Sequence, residues 1–210
     1  SAVDHGRLDL GPYARETIDV SEARGRSFSN KSIGLPLLAA PWYWLARRAT
    51  PLGREEPLSA GVRQWCLLLT TTLPFALTGA AMFKLLLALG AGETAAYWTV
   101  LAYGFGTIAW IQADLFSGHQ AAANLGFLAF ALLGLRRDPR PGLHFAAGLL
   151  AGFGALADYI AVIVTFSLLG YVFHRSDRRA DRLAYLAGAA IPAAVLLAYN
   201  AWCFGSPLNM

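Results

Sequence analysis

At 210 residues the chain has room for several structural elements, but 56% hydrophobic against 14% charged residues, with a mean hydropathy of +0.46, is more apolar content than one soluble core absorbs. A soluble domain is excluded on that ground, because too little charge is left to coat a surface and the excess must face lipid. The net charge of +4 lies in short loops flanking apolar runs, where it orients a chain in a membrane and does not point to nucleic acid. Cys66 and Cys203 are too far apart in sequence for a paired-cysteine metal site or a disulfide framework and read as small apolar residues within helices.

In chain order, residues 1–31 are polar, rich in both signs of charge and interrupted by Gly11-Pro12 and Gly25, which predicts an aqueous segment with short helices at most. Residues 33–45 are apolar but short, and their Pro41-Trp42-Tyr43-Trp44 cluster favours the headgroup level. Residues 64–89 predict a membrane span with Pro74 as a tolerated kink, followed by spans over 97–113 and 118–135. The stretch 143–174 would be about 48 Å long as one helix, well beyond the hydrocarbon thickness of about 30 Å. Two short spans of about 22 Å each, with Asp158-Tyr159 at the tip, accommodate it with local bilayer adjustment. Residues 183–204 are the last span. Ser1 opens without an initiator Met or a leader pattern and Met210 directly follows a Phe-Gly-Ser-Pro turn, so the chain reads as a piece of a longer protein.

Loop charge then sets a topology. The Arg-rich loops at 136–140 and 175–182 are both expected on the cytoplasmic side, which requires an even number of crossings between them and favours the hairpin. Working backwards, the turn holding Asp114 and His119 is external, 90–96 is internal, and residues 1–63 form an external region with juxtamembrane helices. The expected fold is thus all-α: a polytopic transmembrane bundle of about six spans over 64–210, preceded by that external region.

No Gly-Lys-Ser/Thr phosphate loop, dinucleotide fingerprint or His-Glu-x-x-His helix is present. What the topology does is gather Asp19, Arg26, Asn30, Lys31, Asp114, His119, Asp158, Tyr159 and Asn200 on one side of the membrane, which suits a site that meets a lipid headgroup. Each has a plainer reading. Lys31 and Arg26 suit lipid anchors, Asn30 suits the cap of a helix starting near Ser32, and Asp158-Tyr159 suits a wet hairpin tip. Asn200 suits a polar contact between helices. Asp114 and His119 suit an ordinary polar turn, with contact to a substrate or a metal as the sharper alternative.

The run from Gly25-Arg26-Ser27-Phe28-Ser29-Asn30-Lys31 through Ser32-Ile33-Gly34-Leu35-Pro36 to Pro41 resembles the first external loop of the bacterial polytopic glycosyltransferases of the GT-C superfamily. It is closest to their protein-mannosyltransferase and aminoarabinose-transferase branch. Gly104-Phe105-Gly106-Thr107 ahead of Phe116-Ser117-Gly118-His119, then the 147–152 run Ala-Gly-Leu-Leu-Ala-Gly, Ala198-Tyr199-Asn200 and Phe204-Gly205-Ser206-Pro207-Leu208 follow in the order found in such proteins.

The resemblance implies transfer of a sugar from a polyprenyl-phosphate donor to an acceptor outside the inner membrane. An external carboxylate would act as general base, and cationic and amide groups would hold the departing phosphate. In the family that carboxylate lies shortly before the segment corresponding to 6–10, so it is expected ahead of Ser1. Asp4, Asp9 and Asp19 are the acidic residues available here, and Asp19 is the one retained as a candidate. Arg26, Asn30, Lys31, Asp114, His119, Asp158, Tyr159 and Asn200 are the expected substrate-binding residues. No metal ligand set is assigned, although a divalent cation is compatible. A transporter or flippase of lipid-linked material, and a non-catalytic membrane scaffold, are the competing classes. The first predicts paired half-repeats and charges near mid-span, and no internal repeat is found.

Overall fold

The structure, a computed structural model, describes residues 3, 6–15, 17–49, 60–136, 138 and 140–208. Asp4, Arg137 and Pro139, which enter the expectations above, lie outside the described residues. Of the described residues, 77% are helical, as the all-α expectation requires.

The polar N-terminal segment folds differently from the short helices expected of it. After a 3₁₀ turn at Gly11–Arg15, strands β1 (Val20–Ala23) and β2 (Arg26–Ser29) form an antiparallel hairpin, with Ala23 opposite Arg26 and Val20 opposite Ser29. Arg24 and Gly25 close it with φ of +52° and +70°. This two-residue turn has the mirror-image twist that matches paired strands, and Gly at its second position adopts that conformation without steric cost. The hairpin is anchored twice. The Leu10 N–H donates to Ser27 O (2.8 Å), and buried Phe28 meets Phe204 edge-on, with ring centroids 5.6 Å apart.

Eight helices follow: α1 (Gly34–Ala49), α2 (Ala60–Ala88), α3 (Glu93–Gly106), α4 (Ala109–Ala113), α5 (Gly118–Gly134), α6 (Pro141–Ala157), α7 (Val162–Arg175) and α8 (Arg179–Phe204). Among the described residues, α2 and α8, of 29 and 26 residues, are long and apolar enough to cross a membrane, while α6 and α7 are apolar but shorter. The segment expected as one span over 97–113 is broken. Its helix starts earlier, at Glu93, and stops at Gly106, where Thr107 turns extended. Thr107 makes both sides of the break: its hydroxyl donates to Tyr103 O (2.8 Å) and accepts from Ala109 N–H (3.2 Å), closing α3 and opening α4.

Within α2 the kink expected at Pro74 takes the form of a wide π turn at Leu68–Thr72, directly ahead of that proline. Proline lacks the N–H and its ring crowds the carbonyl one turn back, so the ladder widens there. The Asn124 side-chain amide of α5 donates to Thr71 O in this turn (3.3 Å).

The helices pack in a row, α3 on α2, α2 on α5, α5 on α6 and α6 on α8, with α7 filling the angle between α6 and α8. The core is built from Ala129, Leu133, Ala147, Ala151, Leu168, Val172 and Tyr185. At the α6/α8 crossing, glycines let the two backbones touch. A Cβ on Gly148 would fall on the Tyr185 carbonyl, and one on Gly188 on the Phe145 carbonyl. Backbones in contact at small residues are how helices associate where apolar packing against lipid gives no net drive. The Tyr185 hydroxyl donates to Thr165 O (2.8 Å), tying α8 to α7.

Candidate functional site

The row has two chemically different ends. At one, Arg175 donates to Arg136 O (3.5 Å) and Arg178 pairs with Asp138 (3.3 Å), so the two Arg-rich loops meet. At the other lie the β-hairpin, the start of α1, α4, the start of α5, the α6/α7 link and the end of α8.

That second end is assembled at a three-way junction of small residues. The Ser32 hydroxyl donates to Ala157 O at the end of α6. A Cβ on Gly118 would lie 2.6 Å from the same carbonyl and 3.8 Å from the Ser32 oxygen, and one on Gly34 would fall on the Leu156–Ala157 backbone. Side chains larger than these would hold α1, α5 and α6 apart. Each junction residue has a chemically active neighbour: Lys31 precedes Ser32, His119 follows Gly118, and Asp158 follows Ala157. Packing of the small residues therefore carries the three to the same end of the row, although they are 39 to 127 positions apart in pairs.

His119 Nδ1 lies 2.5 Å from Asp158 Oδ2. The other Asp158 oxygen accepts the Ile160 N–H (3.2 Å) and caps the 3₁₀ turn Tyr159–Ala161, which fixes the carboxylate. Asp158 is 18% exposed and His119 79%, so the imidazole is held from behind and open in front. Tyr159, between α6 and α7, is half-buried, and burial pushes its phenol above the ordinary value.

Lys31 is ion-paired with Asp19 (3.3 Å), and the Asn30 N–H donates to Asp19 O (3.2 Å), so Asp19 organises the approach to α1. Helix α1 begins at Gly34, past Ser32, which leaves the Asn30 side chain out of capping reach. Arg26 lies on the hairpin, 3.7 Å from Asp9, which is buried and also pairs with Arg7 (3.2 Å). Asp114 caps the C-terminal end of α4 on the exposed surface. Asn200 is buried. Its amide donates to Pro207 O (3.2 Å) and holds the turn after α8, so it faces protein while the others face outward.

Below Tyr159 an open, apolar groove of about 490 Å³ runs between α6, α7 and α8, past Leu156, Phe166 and Leu169 to Tyr185 and Leu186. One end of this groove thus lies at the polar junction and the rest in the apolar body.

Two polar clusters escape a reading based on charged residues. Gln120 donates to Asn124 Oδ1 (2.8 Å), Thr78 does the same (3.3 Å), and Gln120 also reaches the Tyr103 hydroxyl (3.4 Å), joining α2, α3 and α5 inside the bundle. The signal for it is in the sequence, since Gln120 and Asn124 are one helical turn apart in an otherwise apolar run and must share a face. At the Arg-rich end, His144 and Asp181 lie 3.6 Å apart and are 2% and 1% exposed, beside a cavity of about 30 Å³. Asp181 also accepts the Ser176 hydroxyl (2.6 Å).

Among the described residues, no group of three or more His, Cys, Asp or Glu side chains is arranged to hold a metal ion. Comparison with known proteins finds no matching family, no similar curated protein and no similar solved structure.

Proposed function

We propose that this chain is the multi-pass membrane portion of a glycosyltransferase that moves a sugar from a polyprenyl-phosphate donor to an acceptor on the external side of the inner membrane. The observation that carries the reading is that Tyr159, which lines the apolar groove, directly follows Asp158 of the His119–Asp158 pair. A lipid-linked sugar needs both: a groove of low polarity for the isoprenoid chain, and, at its mouth, polar groups for phosphate and sugar. The proposed role of Lys31 and Arg26 is to meet the phosphate, that of Asp114, His119, Asp158 and Tyr159 to meet the sugar and acceptor, and that of Asn200 to shape the wall.

The outer surface of the row suits burial in a membrane, as the same reading requires. Large apolar side chains including Trp98, Phe105, Ile163, Phe166 and Trp202 stand exposed on its outside, as a lipid-facing surface requires. Helices α3, α5, α6 and α7, of 14 to 17 residues, are about 21–26 Å long, so six crossings imply a bilayer locally thinned around them. The Arg-rich end would then face the cytoplasm. A transporter would place ionisable groups near mid-span, whereas the buried His144–Asp181 pair sits in the first turns of α6 and α8.

The test is transfer of radiolabelled sugar from a polyprenyl-phosphate donor by the full-length protein in proteoliposomes. Labelled acceptor product is expected. Donor that stays intact, or that only changes leaflet, rejects the enzyme reading.

A further inference from the structure

The His119–Asp158 pair has the arrangement of a base and its orienting carboxylate, and it lies within this chain, while the resemblance looks for a base ahead of Ser1. We infer that His119 Nε2 takes the proton of the acceptor hydroxyl, with Asp158 as its positioning residue; this rests on the glycosyl-transfer reading above. Three observations carry it. Asp158 Oδ2 lies 2.5 Å from His119 Nδ1, so a proton on Nδ1 is held there and the lone pair of Nε2 is directed outward. Asp158 cannot swing away, because its second oxygen is engaged by the Ile160 N–H and it sits behind the ring at 18% exposure. The imidazole itself is 79% exposed, and Tyr159, the residue after Asp158, lines the apolar groove. A carboxylate behind a histidine selects the tautomer and stabilises the imidazolium that forms during proton transfer.

The step balances without further reagents. The acceptor oxygen attacks the anomeric carbon, the bond from that carbon to the phosphate oxygen breaks, and its electron pair leaves with the polyprenyl phosphate. The acceptor proton passes to His119 Nε2 and from there to water. His119 sits beside the start of α5, where Ser117 caps the helix by accepting the Gln120 N–H (3.4 Å). The ring is therefore carried on a rigid element and not on a loop.

The experiment compares wild-type protein with His119→Gln and Asp158→Asn in the full-length chain. It measures kcat for each variant and for the double variant, binding of a non-transferable polyprenyl-phosphate-sugar analogue, and thermal stability in detergent. Glutamine at an exposed position leaves folding intact, while kcat is expected to fall by roughly 10²–10⁴-fold, the usual contribution of a positioned base. Asp158→Asn should lower kcat less, and the double variant no further than His119→Gln alone, because Asp158 acts through the ring. Transfer by wild type together with an unchanged rate in His119→Gln overturns the inference alone. An inserted wild-type protein that transfers no sugar overturns the glycosyl-transfer reading and this one with it.

Discussion

Replacing Gly188 with Ala tests how the bundle is held together. The added Cβ would land on the Phe145 carbonyl and lie 2.8 Å from Leu149 N. Both are backbone atoms of α6, and neither can rotate aside. Relief requires the two helices to part by roughly 1 Å across a close-packed contact that also positions Tyr185, at a cost of about 1–3 kcal/mol. Gly170→Ala in α7 is the matched control. Nothing lies within 4 Å of its Cβ position, so only the helix preference for Ala remains, a gain of about 0.5–1 kcal/mol. For a chain of this size each kcal/mol is about 2–4 °C in Tm. Thermal unfolding in detergent, followed by near-UV circular dichroism, should therefore show Gly188→Ala lowered by about 2–12 °C and Gly170→Ala raised by about 1–4 °C. Gly148→Ala strikes the Tyr185 carbonyl from the other side of the same crossing. The double Gly148→Ala, Gly188→Ala variant should accordingly lose less than the sum, because the first Cβ already opens the gap. A Gly188→Ala protein as stable as wild type would refute backbone contact at this crossing.

Cysteines placed at Ser117 and Ser176 should label from opposite sides of the membrane, since these residues lie at opposite ends of the row; labelling of both from one side sinks the proposed orientation. Lys31→Met should lower transfer by roughly tenfold to a thousandfold, the scale of one lost charge-stabilising donor. It should leave Tm nearly unchanged, because Lys31 is 69% exposed and its ion pair with Asp19 is a surface pair; full activity in the variant would reduce Lys31 to a lipid anchor. Asn124→Leu removes the acceptor of Gln120 and Thr78 and the donor to Thr71 O. It should cost about 1–3 kcal/mol in detergent unfolding, and a neutral outcome would mean that water or a rearranged Gln120 satisfies those groups.

The long apolar runs are legible in the sequence because they have little choice. Residues 64–89 and 183–204 hold too few polar groups to break a helix, and the structure extends each by only four residues at its N-terminal end, to Ala60 and Arg179. The break between α6 and α7 was equally readable, since the helix length conflicts with any hydrocarbon thickness and Asp158 is the first residue able to cap a new turn. The break at Thr107 was not readable. Gly104 and Gly106 are compatible with a helix interior, and the deciding event is one hydroxyl that serves both sides. The β-hairpin escaped for a different reason. Its strands are four residues each, too short for alternation to stand out, and its stability comes from Phe28 meeting Phe204, 176 positions away.

The candidate site shows the same division between chemistry and placement. His119, Asp158 and Lys31 are conspicuous by type, and a topology worked from loop arginines is enough to bring them to one side. It cannot bring His119 to 2.5 Å from Asp158. That distance depends on Gly118 and Ala157, residues with no chemistry of their own, whose lack of bulk lets the start of α5 rest on the last carbonyl of α6. Ser32 adds α1 to the same carbonyl. In a bundle this apolar, close backbone contact at small residues is the available source of precision. The small residue beside each reactive one is therefore as much a part of the site as the reactive group, and a search by charge and motif passes over it.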